Sequence, residues 1–196
     1  MAILTWPDEI RPSEMEWHLV SNSVEFTSPF NGASQTVAYP GSRWEASLTF
    51  NNLNDWESRK LESLLAKLDG KSGRIMLQDF GRWGRPPMGS PVVNGSNNSG
   101  TTLSTKGWDY DKLVLREGDY ITVNYELKLI TEDAWSDSSG NVILSIAPML
   151  RSIPPNGAKI ETQKPQGTFR LSENTNGVKR QPAFNNSFTL KFSEAF

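Results

Sequence analysis

The side chains able to do chemistry are few and scattered. His18 is the one histidine of the chain, and there is no cysteine. A histidine-based triad would have to use His18, and no G-x-S-x-G elbow supplies its serine. Disulfides, thiolate zinc sites, iron–sulfur clusters and cysteine nucleophiles are excluded, as is a multi-histidine metal site. His18 falls in a predicted strand beside Trp17, where a structural or surface role is expected. Carboxylates are the acid–base groups that remain. Glu132, Asp133 and Asp137 could pair as in a glycoside hydrolase, but they lie in a turn-rich segment where capping is the expected duty. Asp137-Ser138-Ser139-Gly140-Asn141 is only loosely like a calcium loop, because the D-x-D-x-D-G spacing and the closing glutamate are missing. Gly81-Arg82-Trp83-Gly84 leads into no helix, so it offers no phosphate cradle. No catalytic, cofactor-binding or metal-ligating set is therefore expected, and the chain reads as a non-enzyme.

Seven tryptophans are the other conspicuous groups. Trp44 and Trp56 fit a core pattern. Trp83, Trp108 and Trp135 fall in or beside loops of the middle section, where an aromatic ring either packs locally or forms a surface for a sugar or a protein partner.

The elements that must position these residues are mostly strands. Gln35, Val37 and Tyr39 alternate before Pro40-Gly41, which reads as a turn setting the register of two paired strands. After it, Trp44, Ala46, Leu48 and Phe50 share one side of a strand. Residues 54–70 form the one good helix. Asn54 and Glu57 have capping-box spacing, Leu61, Leu64, Leu65 and Leu68 make an apolar stripe, and Gly70 is a left-handed C-cap. A strand follows from Arg74. Residues 81–107 are rich in Gly, Pro, Ser and Asn and read as a junction with at most short strands. Residues 120–130, YITVNYELKLI, read as the longest strand, with Thr122, Asn124, Glu126 and Lys128 on its polar side. Val142, Leu144 and Ile146 alternate in another, and Phe188, Leu190 and Phe192 in a last one.

At 196 residues the chain is long enough to bury roughly 70% of its unfolded surface without staples. Its formal net charge is −2 and no basic run is present, which argues against binding nucleic acid through phosphate contacts. The N-terminal segment lacks the basic and apolar regions of a secretory signal, and no stretch approaches the roughly 18 apolar residues of a membrane span. The expected architecture is mainly β. A split β-barrel or sandwich domain with one flanking helix (1–83 and 156–196) would carry an inserted small β-barrel (84–155).

The order of features resembles the distal tail proteins of long, non-contractile-tailed bacteriophages. The resemblance is carried by Trp17, Ser28-Pro29-Phe30-Asn31-Gly32, Gln35-Thr36-Val37, Pro40-Gly41-Ser42-Arg43-Trp44, the helix ending Leu64-Leu65-Ala66-Lys67-Leu68-Asp69-Gly70, and Gly73-Arg74-Ile75-Met76-Leu77. Arg116-Glu117-Gly118-Asp119-Tyr120-Ile121 and Ile146-Ala147-Pro148-Met149-Leu150-Arg151 are similar to the small barrel appended in some of these proteins. Pro165-Gln166-Gly167-Thr168-Phe169-Arg170-Leu171 is similar to the return into the first domain. The resemblance implies a virion protein, assembled in the host cytoplasm, whose copies form a ring, expected to be hexameric, at the tail tip. The ring would join the tail tube protein to the baseplate hub protein and leave a channel for the tape-measure protein and DNA. The middle domain would face outward, toward a tail fibre or a host-surface glycan. A carbohydrate-binding β module resting on the loop tryptophans is the alternative expectation.

Overall fold

A computed structural model describes residues 3–180 and 186–195. In chain order it places β1 (Ile3–Thr5), β2 (Glu14–Val20), β3 (Ser23–Thr27), β4 (Ser34–Ala38), β5 (Arg43–Leu53), α1 (Asp55–Leu68), β6 (Arg74–Leu77), β7 (Gly89–Val93) and β8 (Thr102–Trp108). It continues with β9 (Leu113–Leu115), β10 (Tyr120–Val123), β11 (Glu126–Ile130), β12 (Ala134–Trp135), β13 (Asn141–Ala147), β14 (Ile160–Glu161), β15 (Gly167–Leu171), β16 (Lys179–Arg180) and β17 (Asn186–Glu194). The fold is mainly β, as the patterning predicts, with one sheet curled into a nearly closed barrel and another into a half-barrel.

The half-barrel is seven-stranded, in the order β1-β6-β15-β17-β5-β2, with β16 added against β17. Burial along β5 alternates from Arg43 to Phe50. β17 sets Phe188, Leu190 and Phe192 opposite Phe50, Leu48 and Ala46, and all six side chains are buried on one face. Cross-strand apolar pairs of this kind are what stabilises a half-buried sheet. Trp6 stacks on Phe50 with ring centroids 5.7 Å apart, adding a tryptophan from outside the sheet to the same core.

Helix α1 closes over this core. The capping box forms as predicted: the Asn54 carboxamide accepts from the Glu57 N–H at 2.9 Å, and the Glu57 carboxylate accepts from the Asn54 N–H at 3.0 Å. Leu61, Leu64 and Leu68 are buried and Leu65 is half-buried at the edge of the stripe. Each full burial contributes about 1.5–3 kcal/mol. The stop differs slightly from expectation: Asp69, with φ 49°, is the left-handed cap, and Gly70 follows it at φ 61°. Gly70 suits this place, because its φ is left-handed and a Cβ there would come within 3.2 Å of the Asn174 Cα. Trp56 corrects the core assignment. Five residues before Leu61 places it about 140° from the leucine stripe, and its ring is exposed beneath the Lys60 ammonium, 4.7 Å from the centroid.

The second sheet runs β14-β10-β11-β13-β8-β7. Its ends meet where Val92 bridges Lys159, and the Val93 N–H donates to the Ala158 carbonyl at 2.9 Å. The short pair β9–β12 adds Val114, Leu115 and Ala134 to its core. Two strands, β7 and β8, lie inside the segment expected to be mostly loop. Local Gly and Asn content hid them, whereas pairing with β13 and the Asn98 carboxamide, which accepts from the Ser104 N–H at 2.6 Å, holds them extended. The second sheet also reaches past residue 155, since β14 pairs with β10 and Ile160 lies in its core.

Two expectations change in kind. Residues 120–130 are not one strand but a tight hairpin, with Val123 opposite Glu126 and the turn residues Asn124 and Tyr125 at φ 48° and 65°. Among the described residues the longest strand is instead β5, of 11 residues. Pro40-Gly41 is not a turn between paired strands either. β4 pairs with β3, and β5 pairs with β2. β2–β3 and β4–β5 are thus two arms of one ribbon, turned at Ser28–Ala33 and kinked at Pro40-Gly41. There the Asn22 carboxamide donates to the Pro40 carbonyl at 2.7 Å, and Gly41 adopts φ 124°.

Candidate functional site

The tryptophans separate on folding. Trp108 is buried, and its Nε1 donates to the Thr105 hydroxyl at 2.8 Å, so it is a packing residue. Trp83 and Trp135 stay 78% and 64% exposed, so of the three loop tryptophans these two present a ring to solvent. Trp83 lines two cavities in which Trp108 and Trp135 have no part.

The carboxylates of the turn-rich segment are engaged by neighbouring donors. Asp133 accepts from the Glu117 N–H at 2.9 Å and Glu132 from the Ser145 hydroxyl at 3.0 Å. Asp137 accepts from the N–H groups of Asn141 and Ser139, both at 2.8 Å. Those donors, with the Asn141 carboxamide, hold the Asp137 carboxyl below the usual carboxylate range. His18 is exposed, 3.8 Å from the Glu45 carboxylate. Among the described residues no three His, Cys, Asp or Glu side chains converge as metal ligands.

The Gly81–Gly84 loop fastens the two sheets together. The Asp79 carboxylate accepts from the Gly81 N–H at 2.8 Å, and Arg82 donates to the Gly118 carbonyl at 2.8 Å with its guanidinium 5.4 Å from the Tyr120 ring centroid. A Cβ on Gly84 would lie 2.2 Å from the Thr162 carbonyl oxygen, so only glycine permits that approach. Arg85 completes the fastening by pairing with Asp119 at 2.8 Å.

Beside it the β10–β11 hairpin forms a wall shared by both cores. Tyr120 and Leu127 face the half-barrel, while Ile121, Val123 and Ile130 face the second core. The Trp44 Nε1 donates to the Leu127 carbonyl at 3.1 Å, and the Thr168 N–H donates to the Tyr125 carbonyl at 3.0 Å. Gly167 lies against this wall, where a Cβ would come within 2.9 Å of the Leu127 Cβ.

The wall also carries a buried charge cluster, formed by residues that the alternation puts on the polar side of a single strand. Lys128 is fully buried, 2.7 Å from Glu126, and donates to the Met149 carbonyl at 2.9 Å. Burial pushes the Glu126 carboxyl up, but the Lys128 ammonium, the Ser152 hydroxyl and the Arg151 N–H together outweigh it and hold the group below the ordinary range. Burial likewise pushes the Lys128 ammonium down, against the pull of Glu126. Glu194, from β17, accepts from the Trp44 N–H at 3.1 Å and lies 4.0 Å from Arg151, whose guanidinium also donates to the Ser42 carbonyl. Burial dominates at Glu194 and raises its carboxyl above the ordinary range. The one available signal was Glu-x-Lys inside an apolar run. No protein-family model matches the chain, and no curated protein matches it.

Two further features face solvent. A cleft of about 720 Å3 lies between the segment after β1, the loop after β6 and the loop after β14, with Trp83 on its wall. The β3–β4 arm projects from the half-barrel. Val24 stands opposite Val37 and Phe26 opposite Gln35 on one face, β3 is exposed along its whole length, and Phe30 at the tip is 96% exposed.

Proposed function

We propose that this chain is a structural protein of the phage tail tip, whose copies close into a ring through the β3–β4 arm and the open edges of the half-barrel. The arm is the observation that carries the reading. A two-stranded ribbon with no covering layer is marginal in water, and this one exposes Val24, Phe26 and Phe30. Apolar side chains presented on an arm are suited to a neighbouring copy, and repetition of one heterologous contact generates a ring. β1 and β2, at the ends of the half-barrel sheet, each pair with one strand among the described residues, which leaves edges for the same purpose.

The ring is expected to be hexameric, to join the tail tube protein to the baseplate hub protein, and to enclose a channel for the tape-measure protein and DNA. A net charge of −2 with no basic run suits a lumen that lets DNA slide without retaining it. The second barrel would face outward. Assembly would take place in the host cytoplasm and the final location would be the virion.

Light scattering and electron-microscope class averages of the purified chain, alone and with its tube and hub neighbours, test this. A six-fold ring that Phe26→Ser with Phe30→Ser abolishes is the expected result. A chain that stays monomeric and binds neither neighbour overturns the reading.

A further inference from the structure

We propose that the cleft beside Trp83 binds an acidic oligosaccharide. The cleft, of about 720 Å3, falls in the size range of ligand sites and has room for a short chain of sugar rings. Its wall is an aromatic ring that the fold holds still rather than buries. Trp83 is 78% exposed, yet Gly84 is clamped against the Thr162 and Gln163 carbonyls and the Arg11 guanidinium sits 5.1 Å from the ring centroid. With one face occupied by Arg11, the other is free to stack on the C–H face of a pyranose.

The polar groups around the ring decide the ligand class. The Asp8 carboxylate is paired with the Lys164 ammonium, which draws it down more than the neighbouring Arg11 does. The Glu161 carboxylate is taken by Lys159 and by the N–H groups of Gln163 and Lys164. Arg11 and Arg82, in contrast, make no ion pair with a carboxylate among the described residues. Arg82 rests on Tyr120 and a backbone carbonyl, and Arg11 on Trp83. Two guanidiniums outside any direct ion pair in one cleft match the planar oxygens of a carboxylate, sulfate or phosphate. Gln78 and Gln163 line the same cleft, and a carboxamide offers donor and acceptor together, as neighbouring sugar hydroxyls require. A groove for proline-rich peptide would be lined chiefly by aromatic rings; here Trp83 and the half-buried Phe80 are the two rings, among cations, amides and two carboxylates already paired. The cleft is complete in a single copy, so the proposal stands whether or not the ring forms.

The test is an array of uronate-, sialate-, sulfate- and phosphate-bearing oligosaccharides beside their neutral counterparts, followed by calorimetry of the intact chain with the acidic probe that binds. Acidic probes are expected to bind and their neutral counterparts to bind at least about tenfold more weakly. Trp83→Ala should weaken binding at least about tenfold, and Arg11→Gln several-fold, with both variants melting like the parent. Trp135→Ala should change nothing. Binding to no acidic probe, equal binding to neutral ones, binding that survives Trp83→Ala, or a cleft that captures a proline-rich peptide instead would each overturn the proposal.

Discussion

Two hairpins of similar size meet opposite fates in this molecule. The arm β3–β4 buries almost nothing, whereas β10–β11 is buried on both faces. Both alternate in sequence, so alternation is not what separates them. The arm leaves its sheet through the kink at Pro40-Gly41 and ends in a six-residue connection, Ser28–Ala33, that carries Phe30 out into solvent. The wall hairpin turns in two residues and is gripped from both sides, by Trp44 and Thr168 of the half-barrel and by the strands of the second core. A hairpin between two cores has no solvent face, so its polar positions must find partners within the protein. That is why Glu126 and Lys128 pair there.

The sharpest way to break the contrast is to unpair that cluster. Lys128→Ala leaves Glu126 buried without its cation and is expected to cost about 3–5 kcal/mol in urea denaturation. Glu126→Gln together with Lys128→Met should restore stability to near the parent, because a buried pair exchanged for neutral groups of similar volume is often tolerated. The next effect is apolar. Leu127→Ala should cost about 2–5 kcal/mol by opening a cavity at the shared wall. Phe26→Ser in the arm should stay within about 0.5 kcal/mol of the parent. An arm substitution as damaging as the wall substitution would mean that the arm packs on its own chain.

Legibility in the sequence follows the same divide. The alternation of β5 and β17 and the capped helix were readable because their signals are local and their burial is one-sided. The wall hairpin was not. Its two faces are buried against different cores, so Leu127 and Leu129 on one face continue the apolar phase of Ile121 and Val123 on the other, and the four read as one strand with Lys128 on its polar side. Asn124, a residue that tolerates left-handed backbone, was the available cue. The ribbon's strands were found, but Pro40-Gly41 was given the job that Ser28–Ala33 performs, since both segments carry turn residues. At the cleft, Trp83 could be picked out as a loop aromatic, but Arg11, Gln78 and Gln163 come from three distant segments and share no pattern with it.

Tyr125 tests the turn itself. A non-glycine residue in left-handed backbone costs about 1 kcal/mol or more, and the Tyr125 ring is exposed, so little packing opposes its removal. Tyr125→Gly, which creates the favoured Asn-Gly turn, should stabilise the chain by up to about 1 kcal/mol in thermal or urea unfolding. The carbonyl that accepts from Thr168 is retained. Destabilisation would show that the tyrosine ring itself helps to seat the wall.

The smallest expected effect is a slope in pH. Glu194 contacts the Trp44 N–H and faces Lys128, Arg151 and Glu126 across the junction, and burial holds its carboxyl above the ordinary glutamate value. In the window above about pH 4.3, the ordinary glutamate value, the folded chain therefore carries more of this proton than the unfolded chain. Stability must then fall as pH rises from that value through the raised one. Glu126 has the opposite sign: its carboxyl is held low, so its contribution is lost only on acidification below the ordinary value. Glu194→Gln keeps an acceptor for the Trp44 N–H and removes the proton. Urea midpoints of the parent should thus decline relative to those of the variant as pH is raised through this window. Parallel midpoints would place the buried proton elsewhere in the junction. A parent that instead gains on the variant with rising pH would mean that Arg151 and Lys128 outweigh burial at this carboxylate.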